Sequence, residues 1–222
     1  MNNKNNPLLL RPSGKDYLWG GKRLNDEFAK GIPMSPLAET WECSVHPDGP
    51  SYVVNKEFED KTLREVLEQH TEFLGTKHTN GFPLLIKFID AKEDLSVQVH
   101  PDDEYAFKYE NGERGKTEMW YVLDATKDAT LIYGLKRDIT KEELLKAITD
   151  NTLTKYLQYV PVKKGDVFFI EPGTIHAINA GALIVEIQES SNLTYRLYDY
   201  NRIDKNGKKR DLHIQKALNV AR

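Results

Sequence analysis

The chain has 222 residues, of which 39% are hydrophobic, 31 are Lys or Arg and 34 are Asp or Glu. This length and apolar content allow one large domain with a packed core and exclude a chain that is disordered throughout. The formal net charge is −3 and no basic block dominates the chain, so we expect no nucleic-acid partner.

The single cysteine, Cys43, excludes an internal disulfide bond and a cysteine-based zinc site. One free cysteine is typical of a reducing compartment. The N-terminal apolar run is far too short for a signal peptide or a spanning helix. We therefore expect a cytoplasmic protein with no membrane partner.

Four segments carry helix signals, namely apolar residues at helical spacing or capping residues at the start. Asp102 is the expected N-cap of the second helix, and Thr140 with Glu143 forms a capping box at the start of the third. The segments are residues 60–75, residues 102–112, a stretch that begins at Thr140, and residues 211–222.

Seven short segments, rich in β-branched and aromatic residues, are bounded by turn residues and predict strands. Many strands without alternating helices favour a mainly β sandwich or barrel over a parallel α/β sheet. The segments are residues 82–90, 94–100, 118–125, 129–135, 165–172, 182–190 and 193–200.

Polar side chains interrupt this core pattern. Side chains alternate along a strand, so Ser96, Gln98 and His100 are predicted on one face, opposite Leu95, Val97 and Val99. Glu118 shares a strand face with Trp120, and His176 follows a Pro-Gly turn. Polar groups that converge inside a core are unfavourable unless something pairs them. Two imidazoles, a carboxylate and an amide oxygen suit a divalent cation such as Zn²⁺.

Five ordered motifs resemble those of the type I mannose-6-phosphate isomerases in their short bacterial form. They are LSVQVHPDDEYA, KTEMWYVLDA, YGLKRDITKEEL, EPGTIHAI and SSNLTYRLYDYNR. The resemblance implies a cupin-type jelly-roll β-barrel with peripheral helices and one bound zinc ion. It also implies interconversion of mannose 6-phosphate and fructose 6-phosphate through a cis-enediol(ate), with a small sugar phosphate as the partner.

The same resemblance implies roles for nine residues. The implied metal ligands are Gln98, His100, Glu118 and His176. The implied catalytic residues are Arg196, Glu186 and Lys116, and the implied substrate-binding residues are Lys87 and Ser96. Short bacterial members usually continue into a smaller β-domain. We therefore expect residues 1–222 to form a single catalytic domain with helical insertions and without that β-domain.

The residues leave the catalytic base open. Glu186 lies in an apolar strand, where burial should raise the pKa of its carboxyl group. Lys116 is a second candidate if burial beside a metal leaves it partly neutral. Arg196 stays charged, so it is expected to stabilise the enediolate or hold the substrate. A structural alternative for Arg196 is an ion pair with Asp199.

Four other histidines are expected to be structural: His46, His70, His78 and His213. Two functional alternatives remain at this point. A non-haem iron oxygenase of cupin type would use two histidines and a carboxylate, and a non-catalytic relative would bind the sugar phosphate without turnover. Nothing in the sequence predicts the oligomeric state.

Overall fold

The computed structural model describes residues 6–75, 81–203 and 207–222, so the expectation for His78 lies outside the described residues. The described residues are mainly β. The strands are β1 Leu10–Arg11, β2 Ser13–Lys15, β3 Glu39–Cys43, β4 Tyr52–Val53, β5 Leu84–Asp90, β6 Val97–Val99, β7 Glu118–Ala125, β8 Thr130–Leu135, β9 Leu157–Pro161, β10 Val167–Ile170, β11 His176–Ile178, β12 Ala182–Glu189 and β13 Tyr195–Tyr198.

The helices are short, and all but the last lie between strands in the sequence. The α-helices are α1 Arg23–Asp26, α2 Leu63–Gln69, α3 Asp103–Tyr109, α4 Lys141–Thr149 and α5 Ile214–Val220. Three 3₁₀ turns cover Lys56–Phe58, Thr71–Leu74 and Leu153–Lys155. None of the described helices combines the length and apolar character needed to cross a bilayer.

The strands pair antiparallel in three sheets. One has six strands in the order β10-β7-β12-β5-β3-β2, one has five in the order β13-β6-β11-β8-β9, and β1 pairs with β4. The expected mainly β fold is confirmed. Within the described parts of the chain, the backbone ladders form separate sheets and do not close into one barrel.

The main core lies between the two large sheets. Trp120 and Ile184 of the six-stranded sheet share one buried cluster with Leu131 and Ile178 of the five-stranded sheet. The two sheets therefore pack face to face, as in a sandwich. Any polar side chain on these inner faces is removed from water.

A second core covers the other face of the five-stranded sheet. Val97 and Val99 of β6 pack there with Leu144 of α4 and Leu218 of α5. Leu95 does not join them, because the strand begins at Val97 and Leu95 packs between the sheets instead. The prediction that Leu95 shares a face with Val97 and Val99 was therefore wrong.

The predicted helix signals are confirmed, with shorter helices. The Asp102 side chain accepts a hydrogen bond from the Tyr105 backbone N–H at 2.9 Å. Both bonds of the Thr140–Glu143 capping box are present. The segment 60–75 ends its α-helix at Gln69 and continues as a 3₁₀ turn to Leu74.

Candidate metal centre and adjoining cavity

Three potential metal ligands meet between the two large sheets. His100 directly follows β6, His176 begins β11, and both strands belong to the five-stranded sheet. Glu118 begins β7 of the six-stranded sheet. One donor atom from each side chain lies within 4.8 Å of the others, and all three residues are buried.

A glycine brings two of these ligands together. A Cβ atom on Gly115 would lie 2.4 Å from the Asp102 carbonyl carbon, so only glycine fits this approach. The next residue, Lys116, donates its backbone N–H to the Pro101 carbonyl oxygen at 3.0 Å. The segment that leads into Glu118 is thereby fixed against the segment that follows His100.

Charge and distance define the centre. Glu118 Oε1 lies 2.9 Å from Lys116 Nζ and 3.1 Å from His100 Nε2. Glu118 Oε2 lies 3.7 Å from His176 Nε2. Burial opposes ionisation of Glu118, yet Lys116 and the two imidazoles hold the pKa of this carboxyl well below its ordinary value. Glu118 is therefore a carboxylate at neutral pH.

Both histidines are neutral in this surrounding. Burial, and then the neighbouring Lys116 charge, lowers the pKa of His100 to about 3. Burial also lowers the pKa of His176. His176 Nδ1 lies 2.8 Å from the Thr174 carbonyl oxygen, and a carbonyl only accepts, so Nδ1 carries the proton. The lone pair of His176 Nε2 consequently faces Glu118.

The donor set fits a divalent metal ion. Glu118 Oε2 and His100 Nδ1 are buried without a hydrogen-bond partner among the described residues. Buried polar atoms of this kind are normally satisfied. The Gln98 amide lies beside the centre, with Nε2 3.4 Å from His176 Nε2. Two neutral imidazoles and a carboxylate are ligands that Zn²⁺ prefers.

A cavity of about 350 Å³ adjoins this centre. Six of the nine predicted site residues line it: Lys87, Ser96, Gln98, Lys116, Glu186 and Arg196. The other three are the metal-ligand candidates His100, Glu118 and His176, so the structure brings all nine together. A larger cleft of about 690 Å³ lies near Gly21 and Arg23, but none of the nine residues lines it.

Lys87 occupies the cavity wall between two carboxylates. Its Nζ lies 3.2 Å from Glu186 Oε1 and 3.8 Å from Glu39 Oε2. The Trp41 indole N–H donates to the same Glu39 oxygen at 2.7 Å. Burial would lower the pKa of Lys87, but the Glu186 and Glu39 charges together raise it. Lys87 is therefore a charge-compensated ammonium group.

Glu186 has the most informative titration in the cavity. Burial, and then the charge of Glu118, raises its pKa to about 7, against the opposing attraction of Lys87 and Lys116. At neutral pH a carboxyl group of this kind exchanges its proton readily in both directions. The raised pKa expected for Glu186 from its apolar strand is thus present in the structure.

Arg196 lies on β13 and is oriented by two hydrogen bonds. Its Nε donates to Ser96 Oγ at 3.2 Å and its Nη1 donates to the Asp211 carbonyl oxygen at 2.8 Å. The alternative ion pair with Asp199 does not form. Asp199 is bound instead by Arg202 and Arg210.

Sequence reasoning missed several residues of the cavity. Glu39 was not recognised because its strand β3, ETWEC, mixes polar and apolar residues and shows no clear apolar face. Tyr17 and Arg210 also line the cavity. The one signal for Arg210 was its position beside a motif that already held Arg196. Trp19 and Trp41 are buried.

Comparison with known proteins gives a consistent result. A family model described as phosphomannose isomerase type I, catalytic domain, matches residues 8–127. The chain is 47% identical over 214 residues to mannose-6-phosphate isomerase ManA of Bacillus subtilis, covering 96% of this chain and 67% of that protein. It is 44% identical over 214 residues to the mannose-6-phosphate isomerase of Streptococcus mutans, with the same two coverages.

Solved structures agree. The crystal structure of the mannose 6-phosphate isomerase from Bacillus subtilis superposes with a TM-score of 0.93 at 44% identity, over 97% of this chain and 68% of that one. A mannosephosphate isomerase structure from Archaeoglobus fulgidus gives a TM-score of 0.79 at 25% identity, over 98% and 69% of the two chains. The chain thus spans about two thirds of the length of these relatives.

Proposed function

The chain belongs to the type I phosphomannose isomerase family, and on that premise we propose that it interconverts mannose 6-phosphate and fructose 6-phosphate at a zinc site. One observation carries the proposal: the metal-binding set His100, Glu118 and His176 lies beside a cavity that also holds Glu186 and Arg196. We propose Gln98 as a fourth ligand through its amide oxygen. A bound divalent ion would act as a Lewis acid that polarises the sugar carbonyl.

Glu186 is the base in this proposal. Its pKa of about 7 matches the requirement that a general base work near the ambient pH. The ionised carboxylate removes the proton from C2 of open-chain mannose 6-phosphate to give the enediolate, and the resulting carboxylic acid returns it to C1 while the O2 hydroxyl proton passes to O1. Lys116 is the weaker candidate, because it lies 2.9 Å from Glu118 and serves there as the cation beside the carboxylate.

Arg196 supplies a fixed positive charge at the cavity wall. Its hydrogen bond to Ser96 holds the guanidinium in one orientation, which suits stabilisation of the enediolate oxygen without reorganisation. In this scheme Ser96 positions Arg196 as well as contacting the sugar. Lys87 is proposed to donate a hydrogen bond to the substrate from the same wall.

The fold and location follow the same family. Two antiparallel sheets packed face to face support a cupin-type jelly roll as the fold of a single catalytic domain. The free thiol of Cys43 suits the cytoplasm, where we place the protein.

The decisive experiment combines metal analysis with a coupled isomerase assay. We expect about one zinc per chain and turnover of mannose 6-phosphate to fructose 6-phosphate. His100→Ala should lose both metal and activity. Arg196→Ala should keep the metal and lower turnover by orders of magnitude. His70→Ala, a histidine outside the cavity, is the matched control and should retain both.

Three outcomes would contradict the proposal. Iron together with oxygen consumption would identify an oxygenase. Full zinc occupancy without turnover would identify a non-catalytic binding protein. Normal turnover in Arg196→Ala would remove that residue from the reaction.

A further inference from the structure

We propose that Arg210 binds the phosphate group of the substrate at the outer end of the cavity and that Asp199 positions Arg210 for this task. The inference rests on the proposed isomerase function and assigns the group that recognises the phosphate. Arg210 lines the same cavity of about 350 Å³ as Gln98 and Arg196. Its side chain is 36% exposed, whereas that of Lys116, which lines the same cavity beside the metal centre, is 4% exposed. The cavity therefore leads from a dry inner end to an outer end at Arg210.

The Arg210 side chain is held in a fork by one carboxylate. Its Nε donates to Asp199 Oδ2 at 2.8 Å and its Nη2 donates to Asp199 Oδ1 at 2.5 Å. Nη1 makes no hydrogen bond to any part of the chain that the structure describes. A guanidinium that is fixed along one edge presents its remaining N–H groups in a defined direction, which suits recognition of a planar or tetrahedral oxyanion.

The backbone around Arg210 is fixed as well. Asp211 accepts the bond from Arg196 Nη1 through its carbonyl oxygen. The backbone N–H of His213 donates to the Arg196 carbonyl oxygen at 2.8 Å. These contacts of Asp211 and His213 with Arg196 on β13 thus bring Arg210 beside Arg196. Burial and then the positive charge of Arg210 lower the pKa of Arg196, as expected for two neighbouring guanidinium groups.

The balance of charge favours phosphate binding at the outer end of the cavity. Lys87 lies between two carboxylates, Glu39 and Glu186, and Lys116 lies against Glu118. Those ammonium groups are already compensated.

At the outer end the charges do not balance. Asp199 alone is shared by two guanidinium groups, those of Arg202 and Arg210, and Arg196 makes no ion pair within the described chain. Even with the Asp211 carboxylate, which also acts on Arg196, three guanidinium groups outnumber two carboxylates there, and this excess of positive charge suits a phosphate dianion.

The chain offers a matched control in Arg202. Its Nη2 also lies 2.5 Å from Asp199 Oδ1, but Arg202 lines neighbouring clefts and not the 350 Å³ cavity. Arg202→Met and Arg210→Met therefore remove the same charge from the same carboxylate. They differ in whether the lost guanidinium faces the cavity.

The test compares these variants in the zinc-loaded protein. We expect Arg210→Met to raise KM for mannose 6-phosphate and the Kd for inorganic phosphate by about 10- to 100-fold, as for a lost charged hydrogen bond, with kcat changed less than KM. Arg202→Met should change both constants less than about 3-fold. Asp199→Asn should raise KM without a matching loss in kcat. Arg210→Lys keeps the charge, so its KM should lie between those of the wild type and Arg210→Met, and it replaces Arg210→Met if that variant does not fold.

Calorimetry with inorganic phosphate separates this inference from the function on which it rests. If the wild-type protein shows no isomerase activity, the proposed function fails, while the phosphate titrations still decide the role of Arg210. Equal effects of Arg202→Met and Arg210→Met would overturn the inference. So would a fall in kcat at unchanged KM, because that result would place Arg210 at the reacting carbons.

Discussion

Replacing Glu118 by Gln in the metal-free protein isolates the electrostatics of the candidate metal centre. The change keeps the size of the side chain and removes its negative charge. Lys116, which is buried, then loses the carboxylate that lies 2.9 Å from its ammonium group. Glu118 is the one ion-pair partner of Lys116 within the described residues.

The expected loss of stability follows from this geometry. Two unit charges 2.9 Å apart attract by about 6 kcal/mol at an effective dielectric constant of about 20. Desolvation of both groups offsets part of that attraction. Breaking a buried pair by removing one partner typically costs about 3–5 kcal/mol, because the other charge stays buried. We expect a loss of that size in the free energy of unfolding for Glu118→Gln.

Urea denaturation at neutral pH in the presence of a chelator measures this loss. The comparison variant carries Lys116→Met together with Glu118→Gln, which removes both charges from the core. Replacing a whole buried pair by neutral groups is often without net effect. The double variant should therefore recover most of the stability that the single variant loses. Equal destabilisation of the single and double variants would refute the electrostatic reasoning and would indicate a packing defect at position 118.

Three further predictions concern the cavity, its scaffold and one helix. The folded-state pKa of Glu186, about 7, is above the ordinary 4.5, so its contribution to stability is complete below pH 4.5 and is lost as the pH rises through 7. In the presence of a chelator, the free energy of unfolding should fall by up to about 3 kcal/mol between pH 5 and pH 8, and Glu186→Gln should not show this fall. Parallel pH profiles for the two proteins would contradict this. Gly115→Ala places a Cβ 2.4 Å from backbone and should weaken zinc binding in chelator-competition titrations by about 10-fold or more; wild-type affinity would show that the two segments can separate without moving the ligands. Thr140→Ala removes the N-cap of α4 and should lower the free energy of unfolding by about 1 kcal/mol, and an unchanged urea midpoint would contradict the capping role.

Local signals in the sequence predicted the local parts of the structure. Strand β7 has the predicted bounds, residues 118–125, and buried residues alternate with more exposed ones from Glu118 to Leu123. The capping box at Thr140 involves residues three apart in sequence, so the local sequence alone determines it. The nine predicted site residues came from motifs, and the structure places six of them on one cavity and the other three in the candidate metal centre beside it.

The missed features depend on partners that are distant along the chain. Lys87 was predicted as a site residue, but its partner Glu39 lies 48 positions earlier, on a strand whose polar residues obscure the alternation. The fork between Asp199 and Arg210 joins side chains 11 positions apart, and no local pattern predicts that contact. The role of a buried charged residue can be predicted only when the residues that compensate its charge are known. The pairing of distant strands determines which residues those are.

The placement of the metal-ligand candidates has a mechanical consequence. His100 and His176 belong to one sheet of the sandwich and Glu118 to the other. An ion held by all three would cross-link the two sheets, since separation of the sheets would pull its ligands in opposite directions. The rate at which the ion exchanges would then report how often the two sheets separate. Isotope exchange measures that rate without any substrate present.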